Sequence, residues 1–505
     1  NKIVWHSTVA PGDIVVVDRN CHKSILHSIM MMGAIPVFLM PTRNNFGIIG
    51  PIPLSEFQPE TIARKIAAHP FAKDVKAKPR ILTITQSTYD GILYNVEMIK
   101  EMLGDNIDTL HFDEAWLPHA TFHDFYRNYH AIGKDRPRSP DAMIFATQST
   151  HKLLAGLSQA SQILVQDSET RQLDRDVFNE AYLMHTSTSP QYSIIASCDV
   201  AAAMMEPPGG TALVEESILE ALDFRRAMRK VDEEFGDSWW FKVWGPDFLS
   251  DDGLADRDDW MLRGGDKWHG FGDIAENFNL LDPIKATIIT PGLDVDGDFA
   301  DSGIPAAIVT KYLSEHGVIV EKTGLYSFFI MFTIGITKGR WNTLVTELQQ
   351  FKDDYDRNQP LWRVLPEFVA KHPQYERIGL RDLCDKIHGI YKDNDVARLT
   401  TEMYLSPMEP AMRPSDAFAK MAHKEIERVS IDELEGRITA VLLTPYPPGI
   451  PLLIPGERFN DTIVQYLKFA RDFNERFPGF ETDIHGLVKQ DINGRNQYYV
   501  DCVRV

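Results

Sequence analysis

The chain has 505 residues, more than one ordinary domain holds, so two or three domains are expected. Apolar residues make up 44% and charged residues 25%, the balance of a globular protein with material for a sizeable core. The net charge of −20 repels phosphate backbones and argues against nucleic acid as a partner.

In chain order, Ile14-Val15-Val16-Val17 reads as a buried strand ending at Asp18. A helix is expected from Cys21 to Met32, stopped by Gly33, then a strand over Ile35 to Leu39. The Pro/Gly/Asn-rich stretch from Pro41 to Pro53 is a loop. A helix over Glu60 to His69 precedes a strand over Ile81 to Thr85 and the polar turn Gln86-Ser87-Thr88-Tyr89-Asp90-Gly91. A helix over Val96 to Leu103 leads to a strand over Thr109 to Phe112, ending at Asp113. Ala142 to Ala146 and Ile163 to Val165 are strands flanking a polar turn that carries Ser149, Thr150, His151 and Lys152. Strands alternating with helices predict an α/β fold with a mostly parallel sheet. The polar residues gather where strands end, the expected place for a ligand site.

Beyond Lys152 the pattern changes. Long helices are expected over Ser189 to Met205 and Leu213 to Phe235, separated by Pro207-Pro208-Gly209-Gly210. The stretch from Gly236 to Asp273 is expected to be irregular. A smaller α+β domain follows, mixing strand and helix over Ala286 to Thr290, Ile304 to Glu315, Val318 to Glu321 and Phe328 to Phe332, with a helix over Trp341 to Asp356. The expected domains are 1–207, 208–358 and 359–505, the last a C-terminal α+β domain. Cys21, Cys198, Cys384 and Cys502 lie far apart with no CxxC, which disfavours a disulfide scaffold or structural zinc and fits a reducing cytoplasm. The longest apolar run, Ile194 to Met205, carries Asp199, so no membrane span is expected. The start Asn1-Lys2-Ile3 has neither a signal-peptide pattern nor an initiator Met, and the chain is expected to begin inside a longer protein.

Lys152 can form an imine with a cofactor aldehyde. Pyridoxal phosphate would then need a carboxylate at its pyridine nitrogen, a flat partner for its ring and hydroxyls for its phosphate. Asp113 is the candidate carboxylate, although a strand-end Asp more often caps a turn. His22 is the candidate stacking ring, although a histidine at a helix start is usually structural. Ser149 and His151 are candidate phosphate contacts. A metal site competes at His111, His119, His123 and His130. His119-Ala120-Thr121-Phe122-His123 lacks the glutamate of H-E-x-x-H, so solvated histidines and no metal are expected. The glycine pairs match no phosphate-loop or dinucleotide fingerprint, and Ser158 and Ser161 are not in G-x-S-x-G.

Several stretches together resemble the bacterial ornithine/lysine/arginine decarboxylase family of fold type I pyridoxal-phosphate enzymes. They are Ser149-Thr150-His151-Lys152-Leu153-Leu154 with Ser158-Gln159-Ala160-Ser161, Asp18-Arg19-Asn20-Cys21-His22-Lys23-Ser24, and Ser87-Thr88-Tyr89-Asp90-Gly91. Met184-His185-Thr186-Ser187-Thr188-Ser189-Pro190, Val320-Glu321-Lys322-Thr323-Gly324 and Pro445-Tyr446-Pro447-Pro448-Gly449-Ile450-Pro451 match too. The resemblance implies that Lys152 carries the cofactor, Asp113 pairs with its pyridine nitrogen and His22 stacks on its ring. Ser149 and His151 would contact the phosphate, and Trp116 would line the pocket. Ser187 would reach the phosphate in a neighbouring subunit, so the site would need a homodimer. Glu321 would be a buried anion near the substrate's distal cation. The family's N-terminal wing domain, linker and Gly-Thr-Ser-Thr-type loop would precede Asn1, and the wing would join dimers into a decamer. The implied reaction is decarboxylation of a basic L-amino acid, lysine or arginine before ornithine. An aminotransferase, which needs an arginine clamp not identified here, and a catalytically silent assembly subunit are the alternatives.

Overall fold

The structure is a computed structural model that describes residues 1–134, 136–446, 449–492 and 495–504. Six strands form the main sheet, in the spatial order Ile35–Leu39, Ile14–Asp18, Ile81–Thr85, Thr109–Asp113, Met143–Gln148 and Gln162–Gln166. The first five are parallel, and the last pairs antiparallel with Met143–Gln148. The mostly parallel α/β architecture expected from the alternation is therefore present.

The five parallel strands are mostly apolar because both sheet faces are covered there. Alternate residues go to opposite layers. Val16, Leu82 and Leu110 pack with Ile62, Ile66 and Ile99 on one face. Val15, Val17 and Phe145 pack with Trp5, Ile25 and Ile29 on the other. The chain steps one way from Ile14–Asp18 to Ile35–Leu39 and the other way to Ile81–Thr85. A reversal of this kind opens a crevice outside the carboxyl ends of the strands. Asp18, Thr85, Asp113 and Gln148 all stand at that edge.

A second, antiparallel sheet runs in the order Lys322–Thr323, Ser327–Met331, Lys285–Ile289 and Lys242–Val243. Helices Gly209–Phe235, Ala306–Glu315 and Lys338–Asp356 accompany it. Toward the C-terminus, Ile426–Ser430, Arg495–Val503 and Leu487–Ile492 form a third sheet, beside helix Asp461–Arg476. Leu380, Leu383 and Ile387 of the intervening helix Leu380–Asp393 share a buried cluster with Trp341 and Phe351.

Several expectations are corrected. Lys152 lies on a single helical turn, Thr150–Leu153, rather than in an open turn. Gly209 and Gly210 do not separate two helices but begin one, Gly209–Phe235. Gly210 is buried, and a Cβ there would stand 3.0 Å from the Phe122 ring, so close packing explains the small residue. Val318 to Glu321, expected to be strand or helix, is neither and leads into the two-residue strand Lys322–Thr323. Helices Lys2–Thr8 and Arg175–His185 had no counterpart in the expectations. Pro447 and Pro448 of the proline-rich motif lie outside the described residues. Among the described residues no helix is long and apolar enough to cross a membrane.

A buried ion pair ties the first strand's end to the C-terminal segment. Arg19 donates to both oxygens of Glu457 at 2.8 Å, with both side chains 6% exposed. Glu457 also accepts from the Ile454 amide at 2.9 Å. Removing one partner strands the other charge without water, a loss of about 3–5 kcal/mol. Glu457→Ala is therefore expected to lower the denaturation midpoint by that equivalent. Replacing Arg19 and Glu457 together by methionines should recover most of the loss, and chemical denaturation of the two variants checks both statements.

Candidate active site

Lys152 is placed by three local features. Its amide donates to the Ser149 carbonyl at 3.1 Å, closing the helical turn. His151 is tied to the following loop, with Nδ1–H donating to the Ala160 carbonyl at 2.8 Å, which leaves Nε2 as the basic nitrogen of the neutral ring. Gly156 allows the loop to fold back, because a Cβ there would lie 3.0 Å from Ala160 Cβ and 3.1 Å from Thr150 Cγ2. The Lys152 ammonium then stands 4.2 Å from the centroid of the Trp116 ring. Trp116 is held edge-on by Tyr89 at 5.2 Å and by Phe329 at 6.5 Å.

Asp113 ends its strand, is 4% exposed, and sits in the sheet opposite Thr147 and Thr85. Its carboxylate accepts from the Asn1 side-chain amide at 2.8 Å and from the Ala115 amide at 3.2 Å. Asn1 also donates to Ser24 Oγ at 2.8 Å and accepts from Thr147 Oγ1 at 2.6 Å, so one amide braces three segments. His22 caps helix Lys23–Met32 by accepting from the Ser24 amide through Nδ1. The residue is exposed, yet the surrounding protein lowers its pKa by desolvation, with Asp113 opposing and Lys152 reinforcing the shift.

Burial lowers the pKa of Lys152, Asp113 partly restores it, Lys285 lowers it further and Glu321 raises it. Four expected residues, Lys152, Asp113, His22 and Trp116, are thus brought together, with Ser149 and His151 on the lysine's own turn. Glu321 acts on the lysine through its charge but is exposed in this chain, contrary to the expected burial. Ser187 is also exposed, and among the described residues its hydroxyl bonds only within its own loop, to Ser189.

The histidines of the competing metal reading have other uses. His119 is buried 4.8 Å from the Tyr126 ring and 3.4 Å from Asp282. His123 accepts from the Phe125 amide, and His130 donates to the Ile132 carbonyl. No group of three metal-ligating side chains occurs among the described residues.

Two contributors escaped the sequence reading. One is Asn1. The other is Lys285, fully buried, which donates to Ser87 Oγ at 2.5 Å and to the Trp116 carbonyl at 2.8 Å and lies 3.1 Å from Asp282. Asp282 in turn accepts from the Tyr126 hydroxyl at 2.7 Å. The available signal was a lysine inside the mostly apolar run Ile284 to Ile289.

A lysine amine and a strand-end carboxylate at the carboxyl edge of a mostly parallel sheet, followed by smaller α+β units, define a fold type I α/β enzyme. Comparisons with known proteins narrow the class. Residues 1–340 match the family model "Orn/Lys/Arg decarboxylase, major domain" and residues 397–504 match "Orn/Lys/Arg decarboxylase, C-terminal domain". The chain is 54% identical to lysine decarboxylase LdcA of Pseudomonas aeruginosa over 509 residues, covering 100% of this chain and 68% of that protein. The solved structure of lysine decarboxylase A from Pseudomonas aeruginosa gives a TM-score of 0.95 over 99% of this chain and 68% of that one. Identity is 40% to the biodegradative arginine decarboxylase of Escherichia coli, covering 100% of this chain and 69% of that protein. It is 33% to the constitutive ornithine decarboxylase of the same organism, covering 99% and 72%. The chain belongs to the Orn/Lys/Arg decarboxylase family and is an amino-acid decarboxylase.

Glu114, next to Asp113, accepts from Gln148 Nε2 at 2.7 Å and from the Ala131 amide at 2.5 Å. Burial still pushes its pKa up from 4.5 to about 7. The folded protein therefore holds this proton where the unfolded chain has lost it, and stability falls as pH rises from about 4.5 to about 7. Glu114→Gln is expected to flatten that part of the profile and to be the more stable form above pH 7, as thermal unfolding across the range would show.

Proposed function

We propose that this chain decarboxylates a basic L-amino acid with pyridoxal 5'-phosphate as cofactor, releasing CO2 and cadaverine, agmatine or putrescine. Lysine and arginine rank ahead of ornithine, in keeping with the order of identities above. The observation that carries the reading is the Lys152 amine over Trp116, in the fields of Asp113 and Glu321, within a family-member chain. The donor set fits the cofactor. It offers an amine whose pKa is lowered, a buried carboxylate without a buried cation bonded to it, and a hydroxyl group, Thr150 Oγ1, buried with no partner beside Ser149.

When bound, the cofactor supplies an electron-withdrawing ring that accepts the electron pair left as CO2 departs. The chain's residues do the rest. Lys152 holds the cofactor covalently, and its lowered pKa leaves more of the amine neutral and nucleophilic. Asp113 keeps a proton on the pyridine nitrogen, an electrostatic support preorganised by Asn1 and Ala115. His22 covers one ring face, Trp116 lines the pocket, and Ser149 and His151 hold the phosphate. Lys152 or His151 delivers the proton that replaces the carboxylate at Cα. Glu321 receives the distal cation of the substrate. Each turnover consumes one proton, which suits acid resistance or polyamine supply in the cytoplasm.

The site is shared in a homodimer on this reading, and the full-length protein forms a decamer. Helices Arg175–His185 and Tyr192–Met204 carry exposed Leu183, Met184, Tyr192, Ile195 and Val200, with Tyr192 80% exposed. A large apolar face of this kind marks an interaction surface, and Ser187 lies on the loop between the two helices, where a second copy would meet it.

Lys152→Ala should lose both turnover and the visible absorbance of the lysine–cofactor linkage. Asp113→Ala should keep the absorbance and lose about 10²-fold or more in rate. Turnover at the parental rate in Lys152→Ala would end the proposal, and amine analysis with lysine, arginine and ornithine names the substrate. Leu183→Asp combined with Ile195→Asp is expected to convert dimer to monomer in sedimentation velocity and to lower activity with it.

A further inference from the structure

Behind the segment carrying Glu321 and Lys322 lies a second cavity, of about 570 Å³, within the usual size of small-molecule pockets. Helix Ala306–Glu315 and strand Lys322–Thr323 form one side, and helices Val396–Leu405 and Asp461–Arg476 form the other. It therefore sits where the two family-matched regions meet. Lys152, Asp113, His22 and Trp116 do not line it.

The cavity has aromatic walls and several cations, Arg43, Lys311, Lys322 and Lys371. The guanidinium of Arg43 lies 3.7 Å from the centroid of the Tyr404 ring. Among the described residues it has no ion-pair partner and no side-chain hydrogen bond. Burial lowers its pKa to about 10, so it remains charged at neutral pH. The wall's other charges are of both signs, with Lys371, Glu367 and Glu481 also lining it. Lys322 is paired with the buried Asp90 at 2.5 Å. Glu315 accepts the amides of Glu367 and Phe368 at 3.1 and 2.7 Å. Lys311 lies over the Phe368 ring at 4.9 Å, within the fields of Glu481 and Glu315. Arg43 is half-buried, Asp90 is the carboxylate whose charge reaches it, and a stacked guanidinium keeps its planar N–H edge free for an oxyanion.

We propose that this cavity is a second small-molecule site, which takes a planar apolar anion. Its acidic group docks on Arg43, and its body lies between Tyr404 and the aromatic side chains of the opposite wall, among them Phe473 and Phe480. The site is separate from the one built on Lys152, and its occupation does not depend on the reaction assigned there. It is nevertheless close in the structure. Lys322 reaches Asp90, the next residue Tyr89 packs on Trp116 at 5.2 Å, and Trp116 underlies Lys152.

The test is isothermal titration of the cofactor-loaded protein with anilinonaphthalene sulfonate, an apolar planar anion. One saturable site is expected, weakened about tenfold or more in Arg43→Gln. The uncharged phenylnaphthylamine should bind the parent protein weaker by a similar factor. Ser314→Trp, a substitution at an exposed position on the cavity wall, should also weaken the sulfonate while leaving the fold intact. Absence of saturable binding, equal affinities for the charged and uncharged probes, or unchanged sulfonate affinity in Ser314→Trp each overturns the proposal.

Discussion

A carboxylate buried at the end of a central strand is the constraint on which the site depends. Asp113 has little water to solvate it, and its two hydrogen bonds come from neutral amides. Burying a charge on those terms is expensive unless a cation shares the region. Lys152 supplies that charge from the next strand's end. The attraction is mutual, since Asp113 opposes the loss of the lysine's proton that burial promotes. Neither residue is comfortable without the other, and both positions follow from the parallel register that sets Asp113 opposite Thr147.

The rear of the site rests on a second buried pair. Lys285 donates to Ser87 and to the Trp116 carbonyl and pairs with Asp282 at 3.1 Å. The Ser87 turn, the Trp116 segment and the antiparallel sheet are thus fixed to one ammonium. Because Trp116 underlies Lys152, this ion pair positions the aromatic floor of the site, and its positive charge also favours the neutral lysine. A hydrophobic replacement could be equally stable, but it would give up both the anchor on the tryptophan backbone and the field on the amine.

Strand identity was legible because parallel strands covered on both faces must be apolar throughout, and their polar ends then stand out. Ile81–Thr85 and Val96–Leu103 lie where the pattern placed them. Periodicity says little about a single turn of helix, and the element carrying Lys152 was read as an open turn for that reason. Helix Arg175–His185 was missed because Tyr182, Leu183 and Met184 point outward, so its apolar residues do not describe a face turned to this chain's core. Lys152, Asp113 and His22 were readable from local motifs and the family resemblance. Asn1 and Lys285 act across 112 and 169 residues, to Asp113 and to the Trp116 carbonyl, and no local pattern marks such partnerships.

The exposure of Glu321 bears on how a basic substrate would be selected. Two unit charges about 4 Å apart interact by about 1 kcal/mol in bulk water and by about 4 kcal/mol at an effective dielectric near 20. An exposed glutamate therefore discriminates weakly until water is displaced around it. The substrate's own methylene chain would begin that displacement, lying against the tyrosine and tryptophan rings that stand 5.2 Å apart beside Lys152. A longer aliphatic chain excludes more water and strengthens the terminal ion pair as well as adding apolar contact. On the proposed assignment, chain length and terminal charge act cooperatively, which favours lysine, with one methylene more, over ornithine.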